Sequence, residues 1–189
     1  MHKYDYFRDL KNIETSPIVG IHLWYEGKID SPDALALLDR ETDWIFNKNK
    51  NFQINKTDST YLSLVISGSR MVTDMSKEDI LEMALAEVNT VLPQTRSARL
   101  LKSYVLKERK ATFSALPGIE KLRPSQESPL ANVAIAGEWT DTGWPSTMES
   151  AARSGFLAAE VILSKCGIKT RLTAPDMPMN GLARFITRV

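Results

Sequence analysis

NVAIAGEWTDTGWPSTMESAARSGFLAAEVIL, residues 132–163, is the stretch whose chemistry decides how the chain is read. Val133, Ala134 and Ile135 make a short apolar run, expected as a strand over residues 133–136 that Gly137 ends. Neither Ala136 nor Gly137 presents a bulky side chain, so another backbone or a flat ligand can come close there. A polar loop over 138–146 follows, and beyond Pro145 the spacing predicts a helix over 147–164. The amides of Thr147, Met148 and Glu149 would lack intrahelical acceptors, and with the helix dipole they favour an electron-rich or anionic group. Met148, Ala151, Ala152, Gly155, Ala159 and Ile162 recur at intervals of three and four, a stripe of mostly small residues. It reads either as a tightly packed core helix or as a surface for close approach. On both readings Gly155 packs against a neighbour, so a larger side chain there would overpack. Glu138, taken alone, is a loop carboxylate.

Upstream of this unit, residues 116–130 are proline-rich and expected as an extended loop. The first 115 residues alternate differently. The run PIVGIHLWY, residues 17–25, is dense in β-branched and aromatic side chains, and strands are also expected at 43–47, 60–67 and 100–106. Residues 33–38 read as a short helix or turn, and 47–58 as a polar loop. Tyr61, Leu64 and Ile66 are the expected core contacts of the third strand. Ser76 with Asp79 makes a helix start, Ile80, Met83, Ala84, Val88 and Val91 keep a helical spacing, and Pro93 marks the end. Lys107, Arg109 and Lys110 read as a solvated basic run after the last strand. The expected organisation is a sheet region over 1–115, a strand–loop–helix unit over 116–165 and a tail over 166–189.

Composition narrows the function. With 43% hydrophobic residues the chain can bury a core, and 24 Lys+Arg against 23 Asp+Glu leave no field that would attract nucleic acid. The single cysteine, Cys166, cannot close an internal disulfide and fits a reducing compartment. The charged start MHKYDYFRDLKNIE lacks the apolar run of a secretion signal, and no stretch approaches the length of a spanning helix. A cytoplasmic protein is expected, with peripheral contact to a bilayer open. His2 and His22 have no Cys or Asp cluster at ligand spacing, so no metal site is expected, and His22 reads as a core or sheet-face histidine. Ser154-Gly155 lies inside a helix and is not a nucleophile elbow. Trp24, Trp44 and Phe46 read as core aromatics on two strands.

Residues 132–163 resemble the C-terminal motif of the flavin amine oxidase and phytoene desaturase superfamily. That motif is an apolar strand, Ala-Gly-acid, a Thr-Gly-x-Pro turn, then a helix with Ala and Ser-Gly. The resemblance implies FAD contacts at Gly137 and Glu138, and at Thr147, Met148 and Glu149 at the helix start. The stretches SPIVGIHLWYEGKI, LLDRETDWIFNK and residues 106–155 are similar, more narrowly, to the hydroxysqualene dehydroxylase family of bacterial hopanoid pathways. Glu138 stands where that family has Asp, and Ser150 where it has Gly.

The resemblance implies an α+β fold. A mixed or antiparallel sheet would belong to a substrate-binding region, and the strand–loop–helix would complete a Rossmann-like FAD-binding domain. It also implies an apolar isoprenoid substrate, with Trp24, Trp44 and Phe46 walling its tunnel and Arg109 near the flavin edge. No Gly-x-Gly-x-x-Gly occurs among the nine glycines, so the diphosphate cradle is expected in a missing or separate N-terminal half, without which the chain would be inactive. The expected reaction is FAD-dependent reduction of hydroxysqualene to squalene. The alternatives are a carotenoid-type desaturase or amine oxidase-like fragment, and a non-catalytic remnant or interaction module.

Overall fold

The computed structural model describes residues 5–54 and 58–176. In chain order they form α1 (Asp5–Arg8), β1 (Thr15–Glu26), β2 (Ala34–Ala36), β3 (Trp44–Asn47), α2 (Lys48–Asn51), β4 (Ser59–Ser67), α3 (Arg70–Asp74), α4 (Lys77–Val91), β5 (Leu100–Phe113) and α5 (Met148–Lys165). The chain divides into two compact units, Glu14–Ser114 and a second made of Met1–Ile13 with Ala115–Val189. The fold is α+β.

The first unit is a five-stranded sheet in the order β2-β3-β4-β1-β5, and every pairing is antiparallel. β1 is central because its long β-branched and aromatic run can pair along both edges. Pro17 has no N–H to give a ladder, and it sits where the β1–β5 register shifts between Ser16 and Ile18. Successive residues of β1 alternate faces, so Val19, Ile21, Leu23 and Tyr25 all point to one side and are buried. They share a core with Ile45, Leu62, Leu64, Ile66 and Val105 from the sheet and Ile80, Ala84 and Val88 from α4.

α4 begins as its sequence predicts. The Ser76 hydroxyl accepts the Asp79 N–H at 3.0 Å and donates to the Asp79 carboxylate at 2.6 Å. Glu87 on α4 clamps the loop before β3, its two carboxylate oxygens accepting the N–H groups of Glu41 and Thr42, each at 3.0 Å. The Lys107 ammonium donates to the carbonyls of Thr73 and Met75, and Arg109 pairs with Asp74 at 2.8 Å. The basic run is therefore part of β5, which continues to Phe113, and it fastens the end of α3.

Several expectations are corrected here. Residues 34–36 are a strand, because Leu35 pairs with Ile45 at the sheet's edge instead of closing a turn. Residues 48–51 form a helical turn, capped by the Asn47 side chain. Tyr61 is not a core contact: Leu62, Leu64 and Ile66 are, and the alternation puts Tyr61 on the opposite face. Trp24, Trp44 and Phe46 are likewise outside the core, since the buried partners on their strands are Leu23, Tyr25, Ile45 and Asn47.

In the second unit, residues 133–136 do not form a strand. The apolar run has a strand's composition, yet its sheet-type pairing among the described residues is limited to the isolated bridge Glu127–Ala134, with Ile135 N–H donating to Gln126 O at 3.0 Å. α5 runs as expected, one residue later at each end.

Tyr25 generates a prediction. It is 2% exposed, its hydroxyl has no hydrogen-bond partner among the described residues, and burial pushes its pKa up to about 12 from 10.0. Removing an unpaired buried hydroxyl relieves a desolvation penalty, so Tyr25→Phe should stabilise the unit by about 1 kcal/mol at neutral pH. The folded state holds the phenol proton more tightly than the unfolded state. Wild-type stability therefore falls as pH rises from 10 towards 12, and the Phe variant lacks that fall. Denaturant midpoints at pH 8 and pH 11 check both statements.

Candidate functional site

In the second unit a buried polar network fixes the loop that enters α5. The Arg123 side chain is 1% exposed. Its guanidinium donates to Thr140 O at 3.0 and 2.6 Å, to Glu138 O at 3.2 Å and to the Thr142 hydroxyl at 3.2 Å, and it pairs with the more exposed Glu120 at 2.8 Å. The Gln126 amide donates to the Thr140 hydroxyl at 2.9 Å and to Asp141 O at 2.8 Å. From the helix side, Ser150 Oγ lies 2.7 Å from Thr142 Oγ1 and donates to Glu138 O at 3.2 Å, while Ser154 Oγ accepts the Gly137 N–H at 2.8 Å. Ser150 and Ser154 are the buried residues of α5, so the helix turns a polar face to the loop.

This network leaves particular groups free. Thr147 is the N-cap of α5, its hydroxyl accepting the Ser150 N–H at 3.1 Å and its carbonyl the Ala151 N–H at 3.0 Å. The amides of Met148 and Glu149 occupy the first turn, where no intrahelical acceptor exists. Glu138 has its carbonyl held twice, but its carboxylate makes no hydrogen bond or ion pair among the described residues. A loop carboxylate that accepts hydroxyl protons, beside helix-start amides that donate, fits a ligand carrying both hydroxyls and electron-rich ring atoms. FAD is such a ligand. Gly137 is different from its expected role. At φ +152° it is needed for backbone conformation, and a β-carbon there would run into the Trp139 indole, so the chain's own ring fills the space expected for a ligand.

The small-residue stripe is also corrected. Met148 is 92% exposed, Ala151, Ala152 and Gly155 are exposed, and a β-carbon on Gly155 would meet nothing within 4 Å. Within the described residues the stripe faces outward, because the loop is gripped by the serines instead.

The sheet unit carries a second set of candidates on the face away from α4. Its register places Ala34, Phe46, Ser63, His22 and Tyr104 in one row, and Ala36, Trp44, Val65, Gly20 and Leu106 in the next. Trp44 stacks on Phe46 at 5.8 Å between centroids, and Trp24 stacks on Tyr61 at 4.6 Å. Trp44, Tyr104 and Leu106 are 43%, 50% and 47% exposed, so the expected tunnel wall is an open aromatic face. The Tyr61 hydroxyl lies 2.8 Å from His22 Nδ1. Burial, and then the nearby Lys48 charge, lowers the His22 pKa, and burial raises that of Tyr61.

Sequence reading missed Arg123, Gln126 and the roles of Ser150 and Ser154. Arg123 sits between Leu122 and Pro124, and its backbone partners lie 15 and 17 residues away, beyond any local pattern. Ser150 did carry a signal, as a departure from glycine in the motif, and its hydroxyl meets Thr142 and Glu138 O. Among the described residues no group of three His, Cys, Asp or Glu could hold a metal ion, and no helix is long and apolar enough to cross a membrane.

Comparison with known proteins adds the family context. The family model described as flavin containing amine oxidoreductase matches residues 1–163. The chain is 31% identical over 166 residues to 15-cis-phytoene desaturase of Synechococcus elongatus, which covers 85% of this chain and 35% of the relative. It is 30% identical over 151 residues to hydroxysqualene dehydroxylase of Rhodopseudomonas palustris, covering 80% and 33%. The chain thus spans about a third of the length of these curated relatives. The fold is similar to a candidate protoporphyrinogen oxidase from Exiguobacterium sp. 255-15, with a TM-score of 0.62 at 10% identity over 85% of this chain and 37% of that one.

Two measurements test the loop and helix. Arg123→Ala leaves buried carbonyls of Glu138 and Thr140 without donors and should destabilise by roughly 2–4 kcal/mol. Thermal melting would show it, and hydrogen exchange should localise the loosening to residues 137–142. Gly155→Ala has the opposite sign. An exposed mid-helix glycine is a poor helix former, so the change should raise the stability of this chain by about 0.5–1 kcal/mol in urea unfolding.

Proposed function

The chain belongs to the flavin containing amine oxidoreductase family, and from that premise we propose that it forms the substrate-holding and flavin-contacting part of an FAD-dependent enzyme that reduces hydroxysqualene to squalene. The observation that carries this reading is the open aromatic face of the sheet. The rings of Trp24, Trp44, Phe46, Tyr61 and Tyr104, with His22 and Leu106, floor a surface suited to a long isoprenoid. The 30% identity to hydroxysqualene dehydroxylase supports that choice of substrate. Bound and reduced, FAD would supply the hydride that replaces the hydroxyl.

The chain's residues would do the rest by holding and shielding. Glu138 would accept a hydroxyl of the cofactor, and the amides of Met148 and Glu149 would donate to its electron-rich edge, with Thr147 shaping the turn. Trp24, Trp44 and Phe46 would cover the isoprenoid and keep water from it. The pyrophosphate cradle would come from a Gly-x-Gly-x-x-Gly segment outside these 189 residues. A second reading, desaturation of phytoene, is favoured by the 31% identity to the Synechococcus enzyme. It runs the hydride the other way, from substrate to oxidised flavin. Incubation of the whole enzyme, with chemically reduced FAD, should convert hydroxysqualene to squalene by mass spectrometry. Desaturated phytoene under oxidising conditions, with hydroxysqualene left intact, would transfer the function to the second reading.

The cofactor arrangement yields its own expectation. Affinity for a dinucleotide comes from an enclosing, preorganised site, and this chain supplies contacts to only part of it. Purified alone, incubated with FAD and then freed of unbound cofactor by gel filtration, it should be colourless. Co-expressed with a segment carrying the glycine-rich cradle, it should become yellow. Stoichiometric flavin on the isolated chain would show that the cradle is not needed.

A further inference from the structure

Among the polar side chains of the aromatic face, the His22 imidazole is the one held in a fixed orientation. His22 lies in the middle of the central strand, paired with Ser63 on β4 and Tyr104 on β5. Its ring is held on two sides: it stacks on Tyr104 at 6.3 Å and 28°, and Tyr61 binds its Nδ1 at 2.8 Å. Tyr61 is in turn fixed by the Trp24 indole stacked on it at 4.6 Å. An imidazole oriented through one nitrogen presents the other in a defined direction.

That other nitrogen, Nε2, makes no hydrogen bond among the described residues. It lies over Gly20, where a β-carbon would stand 3.5 Å from it. The cross-strand neighbours of Gly20 are Val65 and Leu106. Nε2 therefore faces the position that a side chain at residue 20 would occupy, between Val65 and Leu106 on the flanking strands. An imidazole nitrogen is a better acceptor than a phenol oxygen, so Tyr61 donates to Nδ1 and the ring proton of the neutral imidazole sits on Nε2. Burial, and then the charge of Lys48 just beyond β3, lowers its pKa and favours the neutral ring. Lys102 lies over Trp24 at 5.2 Å, and Lys77 over Tyr104 at 5.6 Å.

We propose that His22, oriented by Tyr61, is the specificity-determining hydrogen-bond donor of the aromatic face, and that its Nε2–H binds the hydroxyl of an isoprenoid alcohol and so selects it over the hydrocarbon. This inference rests on the reading of that face as an isoprenoid floor. A hydrocarbon laid over Gly20 strips water from Nε2–H and leaves the donor unpaired, whereas an alcohol oxygen replaces the water. The ring faces bind both chains alike, and the donor held in a fixed direction makes the difference between them.

The test titrates the protein with hydroxysqualene and with squalene in the same detergent, following quenching of the tryptophan fluorescence. Wild type should bind the alcohol about tenfold more tightly, the worth of one well-formed hydrogen bond. His22→Phe should abolish that preference while keeping affinity for squalene, and His22→Gln, which retains an N–H, should keep part of it. Tyr61→Phe leaves the imidazole in place but unoriented and should reduce the preference, which also provides the test if His22→Phe fails to fold. Nitrogen NMR adds a readout that a packing role would not move: the Nε2 resonance should shift with hydroxysqualene and not with squalene. Equal binding of the two lipids by wild type, or an unchanged preference in His22→Phe, overturns the role of His22 and leaves the isoprenoid reading standing. If neither lipid quenches the wild-type protein, the isoprenoid reading falls and this inference with it.

Discussion

The alternation of β1 is the constraint on which the sheet unit depends. Val19, Ile21, Leu23 and Tyr25 are at most 2% exposed. Each buried aliphatic of this kind contributes roughly 1.5–3 kcal/mol, so their side of the sheet is fixed with a large margin against any slip. A one-residue shift of register would exchange the two faces completely. Committing the odd positions to α4 therefore commits Ile18, Gly20, His22 and Trp24 to the other side. The aromatic face is a consequence of how the core is made, and its rows inherit the precision of the ladder.

The second unit solves the same problem with different forces. Its loop from Gly137 to Thr142 has few apolar anchors, and its backbone is held by Arg123, Gln126, Ser150 and Ser154. A buried guanidinium beside a mostly exposed carboxylate gains little from the ion pair alone, so the carbonyls that it bridges explain its position. Such a network contributes less net stability than an apolar core, but it specifies one arrangement, because every buried donor has a single place to go. That is the property a cofactor-contacting loop needs. The free groups at Glu138, Met148 and Glu149 stand on a backbone that is already satisfied.

What the sequence made legible follows the range of the forces. β1, β4, α4 with its Ser76 cap, and α5 are readable because periodicity and capping are local. β2 was not, since three residues of Ala-Leu-Ala become a strand only by pairing with β3 at an edge. Residues 133–136 show the converse: strand composition without a ladder among the described residues. Trp24, Trp44 and Phe46 were placed on the right strands but assigned to the core because large aromatics usually are buried, and the parity of Leu23 and Ile45 decides otherwise. Gly155 was misread for a related reason. A stripe of small residues marks where a helix could be approached, while the positions that α5 actually buries are its serines.

On the proposed reading the two units also divide the chemistry, and that division fits the residue types each carries. Flavin chemistry asks the protein for orientation, exclusion of water and a shaped field, so a substrate surface can be almost free of titratable groups. The aromatic face approaches that condition: lysines reach in from the side, and the carboxylates on the same face, Glu108 opposite Ile18 and Glu26, stand at the two ends of β1. Lys48 lies 5.3 Å from the centroids of both Phe46 and Phe52, where a cation is attracted by the ring faces. A carboxylate in the same place would be repelled by those faces and would favour a protonated His22. Lysines do the opposite, favouring the neutral imidazole. The lysines at the rim and the His22 imidazole at the centre are thus one electrostatic arrangement, in which the oriented imidazole carries no charge to attract water back.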